Sequence, residues 1–263
     1  LPVDFERRGQ IALITLNRPE KLNALDTEMM LRLGEIWEEF RDDPALRVAI
    51  VTGAGERSFC SGRDLAAGAP GSPEHYRAAK ERGEEIPPPG SEFTPHNVWK
   101  PIIAAINGHC LAAGFALALA CDIRIASENA SIGTSAAKRG LLAGGGQIQR
   151  LARYVPFGRA LEMLLVSDAV DARTALEIGL VSKVVPLPDL LPAALALAER
   201  ICENAPLAVQ ATKEAAYRGV FDMDFEDAMK LEAAFYNRML ETDDVLEGAR
   251  AFQERRKPEF KGR

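Results

Sequence analysis

The sequence predicts an α/β fold whose last third is helical. Three observations carry this: short β-rich runs that end in turn chemistry, apolar residues at helical spacing between them, and a loss of strand signals after about residue 188. At 263 residues, 47% hydrophobic and 27% charged, the chain can bury a full core without metals or disulfides.

Residues 11–16 and 48–52 read as buried strands, closed by Asn17-Arg18-Pro19 and by Gly53-Ala54-Gly55. Between them Asp26 stands where it can cap a helix in which Met29, Met30, Leu33, Ile36, Trp37 and Phe40 recur at helical spacing. The same strand, helix, strand order returns at 102–106, 111–120 and 123–126, and a further strand is expected near 181–185. Residues 66–98 are broken by glycine and proline around one charged stretch, 74–85, that suits a helix. This segment reads either as a surface loop or as a cover over a pocket. From 189 onward, 190–202, 207–217, 225–240 and 245–256 read as helices. Asp243 and Asp244 suit the start of the last one, and Arg255, Arg256 and Lys257 its end. The expected organisation is a core over 1–188 and a helical segment over 189–263, which packs on neighbouring subunits or caps its own chain.

A net charge of −6 argues against affinity gained by neutralising a nucleic acid backbone, while leaving room for one anionic ligand at a local basic site. Cys60, Cys110, Cys121 and Cys202 show neither CxxC pairing nor Cys/His ligand spacing, so no metal site and no disulfide framework is signalled. A reducing cytoplasm is the default expectation. The longest apolar run, 111–121, is shorter than the ~20 residues that cross a bilayer, so no membrane span is expected.

Two segments stand out chemically: Phe59-Cys60-Ser61-Gly62-Arg63-Asp64-Leu65 and Asn107-Gly108-His109-Cys110-Leu111-Ala112-Ala113-Gly114. Each reads as a turn of small residues entering a helix. First-turn N–H groups stabilise developing negative charge, and glycines let a ligand approach the backbone. Two such turns face to face would form an oxyanion hole; the alternative is that the small residues only permit tight packing.

These two segments and Asn17-Arg18-Pro19-Glu20-Lys21-Leu22-Asn23-Ala24-Leu25 resemble the crotonase family, also called the enoyl-CoA hydratase/isomerase family. The resemblance continues through Ala120-Cys121-Asp122-Ile123-Arg124-Ile125-Ala126, 140–151, 175–185, 205–213 and Glu247-Gly248-Ala249-Arg250-Ala251-Phe252, leaving only 66–98 unassigned. It implies a crotonase-like spiral of ββα units with a helical C-terminal trimerisation segment, assembled as a homotrimer or homohexamer. It also implies an acyl-CoA substrate, with CoA present as part of that substrate and no separate cofactor. Carried onto this chain, the oxyanion donors are the backbone N–H groups of Arg63 and Ala113. CoA would lie along Lys21, Leu22, Ala24, Ser61, Gly62, Asp64 and Leu65, and Arg255 would reach it across a subunit boundary.

Family hydratases place a glutamate in each of two pocket segments; the matching positions here are Ala116 and Ala136. The aspartate that other members use further along aligns near Gly144 and is absent as well. The binding apparatus is kept and the recognisable acid and base are missing. His109, His96 and His75 are the residues whose ordinary pKa suits a general base: His109 beside the oxyanion turn, the other two in the loop. Arg63 adds a fixed positive charge that would pair with Asp64, a CoA phosphate or an anionic acyl group, and Asp64 suits a helix N-cap. Ser135, Thr134 and Lys138 flank the second missing glutamate, while Gly144-Gly145-Gly146 matches no phosphate-loop pattern. The expected function is acyl-CoA transformation through thioester enolate stabilisation. The alternatives are a non-catalytic acyl-CoA-binding protein, or a decarboxylase or hydrolase of the same family.

Overall fold

A computed structural model of the chain describes residues 1–64, 72–85 and 90–263. A six-stranded sheet is built from β1 (Val3–Arg8), β2 (Ile11–Leu16), β3 (Val48–Gly53), β5 (Ile102–Ile106), β7 (Ile123–Ser127) and β10 (Lys183–Val185), in that spatial order. The β1/β2 hairpin is antiparallel and every other pairing in the sheet is parallel. A second sheet holds β4 (Ser58–Cys60), β6 (His109–Leu111), β8 (Ser131–Gly133) and β9 (Val170–Asp171). Each of β3, β5 and β7 thus feeds a short partner strand in the second sheet, giving a repeat that winds between two layers. The sequence reading placed β2, β3, β5, β7 and β10 and missed β1 together with β4, β6, β8 and β9, which at two or three residues carry no period.

The helices follow from local chemistry. Helix α1 (Thr27–Asp42) starts where the Asp26 carboxylate accepts from Met29 N at 2.9 Å, and it buries the six apolar residues expected of it. Helix α3 (Ala113–Ala120) is apolar all round and almost wholly buried, packed on β4 and β6, as a helix with no polar face must be. Helix α2 (Pro73–Glu81) falls inside the charged stretch of the loop. Next come α4 (Gln147–Tyr154), α5 (Phe157–Val166) and α6 (Ala172–Glu177). The C-terminal part holds α7 (Leu190–Cys202), α8 (Pro206–Phe221), α9 (Phe225–Leu240) and α10 (Asp243–Glu254). Leu190, Ala194 and Ala198 of α7 pack on Ile11, Leu13, Val48, Ile50, Ile103, Ala105 and Ile125, so α7 covers the outer face of the large sheet. Arg255 follows α10 in the left-handed region, φ 53°.

β4 is the point where the winding is tightest. A Cβ on Gly114, the second residue of α3, would sit 2.2 Å from Cys60 O, and one on Gly108 would sit 2.2 Å from Arg57 O. Two buried asparagines lock the turns around this contact. Asn107 donates to Gly53 O at 2.8 Å and Gly55 O at 2.7 Å while accepting from Gly53 N at 3.1 Å. Asn23, fully buried, donates to Ala54 O at 3.0 Å and Ser58 O at 2.7 Å and accepts from Arg18 N at 2.9 Å. Each amide replaces backbone partners that irregular turns cannot supply to one another.

Gly114→Ala should therefore destabilise the fold by about 1–3 kcal/mol, because the added methyl meets backbone that cannot rotate away. Urea unfolding followed by circular dichroism measures it; an unchanged midpoint would mean that the β4 contact is loose.

Candidate active site

A cavity of roughly 360 Å³ opens between the two segments that the sequence singled out. Ser61, Gly62 and Arg63 line one side, Ala112, Ala113 and Ala116 a second, and Thr134, Ser135, Ala136 and Arg139 a third; Gly90, Phe93, Leu141, Leu142, Gly144, Gly145 and Gln147 complete it.

Arg63 is held by a single parallel bridge to Leu25, in which Leu25 N donates to Gly62 O and Asp64 N to Leu25 O, both at 2.8 Å. This pattern uses the groups on either side of Arg63 and turns its own N–H toward the opposite edge. Ala113 is the first residue of α3, where no intrahelical carbonyl reaches the N–H. A Cβ on Gly62 would lie 3.7 Å from Ala113 N, so the two donor segments are in direct contact. Between them Ala112 adopts φ 51°, ψ −116°, a conformation that a residue with a Cβ rarely occupies. Its N–H donates to Gly133 O and its carbonyl accepts from Ala116 N. The strain fixes the direction in which α3 leaves the turn, and with it the aim of the Ala113 N–H.

The side chains around this pair differ from expectation in several places. Arg63 reaches Glu92 at 2.7 Å and lies over the Phe93 ring at 5.7 Å, while Asp64 pairs instead with Arg18 at 3.2 Å. Arg18 also holds Asp26 at 2.9 Å and Ala24 O at 2.8 Å, which ties the 21–24 loop to the site. Leu22 O accepts from Ser61 N at 3.1 Å, whereas Lys21 is exposed and does not line the cavity. Leu65 and the side chain of His75 lie outside the described residues. Whether Asp64 starts a helix is likewise outside them.

His109 is exposed on β6, and His96 lines a separate small cavity with Trp99, Asp122, Arg150, Lys213 and Tyr217. Burial and the nearby Arg150 lower the His96 pKa, which keeps its imidazole neutral. Neither ring lines the cavity beside Arg63 and Ala113. Lys138 is exposed and pairs with Asp168, and Arg255 is exposed at the end of α10. Ala116 and Ala136 do line the cavity, so two methyl groups stand at the positions compared with glutamates. Cys60, directly beneath the site, is fully buried; burial pushes its thiol up to about 12, which makes it a packing group and no nucleophile. Among the described residues no group of three His, Cys, Asp or Glu could hold a metal ion, and no helix is long and apolar enough to cross a membrane.

Gly90 and Phe93, within the loop that the sequence left unassigned, form part of the wall. Trp37 donates its indole N–H to Phe93 O at 2.9 Å, and a Cβ on Gly90 would lie 2.9 Å from Gly145 Cα. Glu92 spans the corner, accepting from Arg63 and from Gly90 N at 2.9 Å. No sequence period pointed to Glu92, Phe93, Leu141 or Leu142, which sit in turns and irregular segments, or to Gln147, the first residue of α4.

Comparison with known proteins agrees along the whole chain. The enoyl-CoA hydratase/isomerase family profile matches residues 6–263. The chain is 44% identical over 263 residues to (E)-benzylidenesuccinyl-CoA hydratase of Thauera aromatica, with all of both chains covered. It is 42% identical over 262 residues to carnitinyl-CoA dehydratase of Proteus mirabilis, covering 97% of each. A crystal structure of enoyl-CoA hydratase from Bacillus anthracis superposes with a TM-score of 0.91 at 36% identity, covering 100% of both chains.

Ala112→Gly should raise stability by about 1 kcal/mol by relieving the positive φ. Thermal melting of the two proteins checks this; a destabilised glycine variant would show that the alanine conformation carries no strain.

Proposed function

Since the chain belongs to the enoyl-CoA hydratase/isomerase family, we propose that it binds an acyl-CoA thioester with the carbonyl oxygen between the N–H groups of Arg63 and Ala113. The observation that carries this reading is the contact of these two backbone segments beside the cavity. Enolate charge that develops on the thioester oxygen would meet two fixed donors, each typically worth roughly 10²–10³ in rate when pre-organised. CoA would run along Lys21 to Ala24 and Ser61 to Asp64. Arg255 would serve the site of a neighbouring subunit.

The lining restricts the chemistry. Among the described residues around the cavity only Arg63 and Arg139 carry a permanent charge, and no carboxylate or imidazole lines it. Proton abstraction by the protein lacks an evident base, so we read the chain as an enolate-stabilising member of the family with weak activity in conventional hydration. The same observation favours a second reading, a non-catalytic acyl-CoA-binding protein.

Calorimetry should show a CoA thioester binding more tightly than the matching free acid; equal or absent thioester binding would overturn the assignment. Crotonyl-CoA hydration should run at least roughly 10²-fold below a two-glutamate relative, the usual contribution of one positioned acid or base. Ala116→Glu combined with Ala136→Glu should raise that rate, with thioester binding measured in parallel. Vigorous hydration by the unmodified protein would contradict this account.

Assembly is the third part of the proposal. Phe225, Tyr236 and Leu240 of α9 and Phe252 of α10 are exposed, far more apolar surface than helices normally leave in water. A homotrimer or homohexamer would cover it. Light scattering at micromolar concentration should give three or six chain masses; a stable monomer would exclude an intersubunit role for Arg255.

A further inference from the structure

A second cavity, of roughly 140 Å³, is walled by residues 95–99, Asp122, Arg150 of α4, and Lys213 and Tyr217 of α8. Its charges are unequally matched. Asp122, the one carboxylate in the lining, binds Lys213 Nζ at 2.8 Å and Ile102 N at 2.7 Å through Oδ2, and its Oδ1 is closed off from solvent. Lys213 also donates to Lys100 O at 3.0 Å, so this ion pair is complete within the wall. Arg150 has no such counterpart. Its Nη1 donates to Gly145 O at 3.1 Å, no carboxylate among the described residues pairs with it, and residues 65–71 and 86–89 contain no Asp or Glu. A Cβ on Gly146 would meet Arg150 Nη1 at 2.3 Å, so the bare glycine lets the guanidinium lie across its own turn. His96 adds a directed donor. Thr94 Oγ1 donates to Gly90 O at 2.7 Å, so toward His96 Nε2, 3.3 Å away, it accepts, and Nε2 carries the hydrogen. Protonation of this ring turns Nδ1 into a second, charged donor.

From the uncompensated guanidinium, the hydrogen on His96 and the size of the space, we propose that this cavity binds one small tetrahedral oxyanion of the sulfate or phosphate class, held between Arg150 and His96. The planar fork of Arg150 uses one N–H within the chain and keeps the others for the ion, in the geometry that suits paired oxygens. The volume takes a single such ion and no nucleotide. Burial and the neighbouring Arg150 lower the His96 pKa in the free chain; an anion between the two cations opposes that repulsion and favours the protonated ring. The site is fastened to the cavity beside Arg63 and Ala113. Arg150 holds Gly145 O and Thr94 holds Gly90 O, and these two glycines meet in the wall of that cavity. The ion thus sits behind the wall, apart from the backbone donors.

Calorimetry of the full chain with sulfate, whose charge is constant over the range in which a histidine titrates, should show saturable binding of one ion per chain, with inorganic phosphate competing. Arg150→Gln should weaken it roughly 10- to 100-fold, the range for a hydrogen bond to a charged group. A protonated imidazole attracts the ion, so affinity should rise as pH falls from about 7.5 to about 5.5, and His96→Asn should flatten that rise. The groups that line the cavity with His96, namely Arg150, Lys213, Tyr217 and Asp122, are of types that ordinarily titrate outside this window. Saturating CoA should leave sulfate bound. Displacement of sulfate by CoA, together with unchanged affinity in Arg150→Gln, would put the ion in the thioester site and overturn the proposal. So would the absence of saturable sulfate binding to the unmodified protein. Selenate in place of sulfate gives the location directly in a crystal of the unmodified protein, even if Arg150→Gln fails to fold. Its anomalous signal should lie between Arg150 and His96, and a peak elsewhere with none there would contradict the assignment.

Discussion

The close approach of the α3 N-terminus to β4 is the constraint on which the site depends. Gly114 cannot carry a side chain because Cys60 O occupies its place, and Gly108 is pressed against Arg57 in the same way. That approach brings the Ala113 N–H to Gly62 and Arg63, residues about 50 positions earlier in the chain. The parallel sheet supplies the frame, since β3 and β5 run side by side and each hands its chain to a neighbouring short strand of the second sheet. Asn23 and Asn107 then satisfy the carbonyls left unpaired where the chain crosses between layers. A polar network that is fully partnered in the interior rigidifies its surroundings, and here it surrounds the two donor segments.

Strain and electrostatics act in the same direction. The unfavourable backbone of Ala112 persists because the surrounding contacts over-determine it, and the residue that follows it, Ala113, lines the cavity. Arg63 serves the proposed site twice: its backbone N–H is one of the two proposed donors, and its side chain is neutralised by Glu92, which also accepts from Gly90 N. The pairing removes the guanidinium as a counter-charge for the acyl group and uses it to fasten the 90–93 wall. What remains around the cavity is mostly apolar, with a few hydroxyls, one amide and the Arg139 guanidinium. Among the described residues, no carboxylate or imidazole that could take part in proton transfer lines it.

Much of this was legible from the chain itself. The strands β2, β3, β5 and β7 and helix α1 with its Asp26 cap were placed within a residue or two because each feature is local, whereas β1, α5 and α6 were not anticipated and α8 runs four residues past its expected end. The two segments that meet beside the cavity stood out for a similar reason: runs of glycine, alanine and serine are conspicuous in sequence. The short strands β4, β6 and β8 were not legible, as three residues hold too little pattern to separate a strand from a turn. The partner of Arg63 was missed because Glu92 lies 29 positions away in a segment without periodicity. The exposed His109 shows the limit from the other side. Proximity in sequence to the donor turn implied proximity in space, yet the alternation along β6 turns that side chain out.

The central claim, that two backbone N–H groups polarise a thioester carbonyl, is tested most directly by infrared difference spectroscopy of a bound acyl-CoA labelled with ¹³C at the carbonyl. The account predicts that the C=O stretch of the bound thioester falls below its frequency in water, since two fixed donors in a largely apolar cavity withdraw more electron density than mobile solvent. A bound carbonyl that absorbs at or above the aqueous frequency would contradict it, because the oxygen would then lie outside the reach of Arg63 and Ala113.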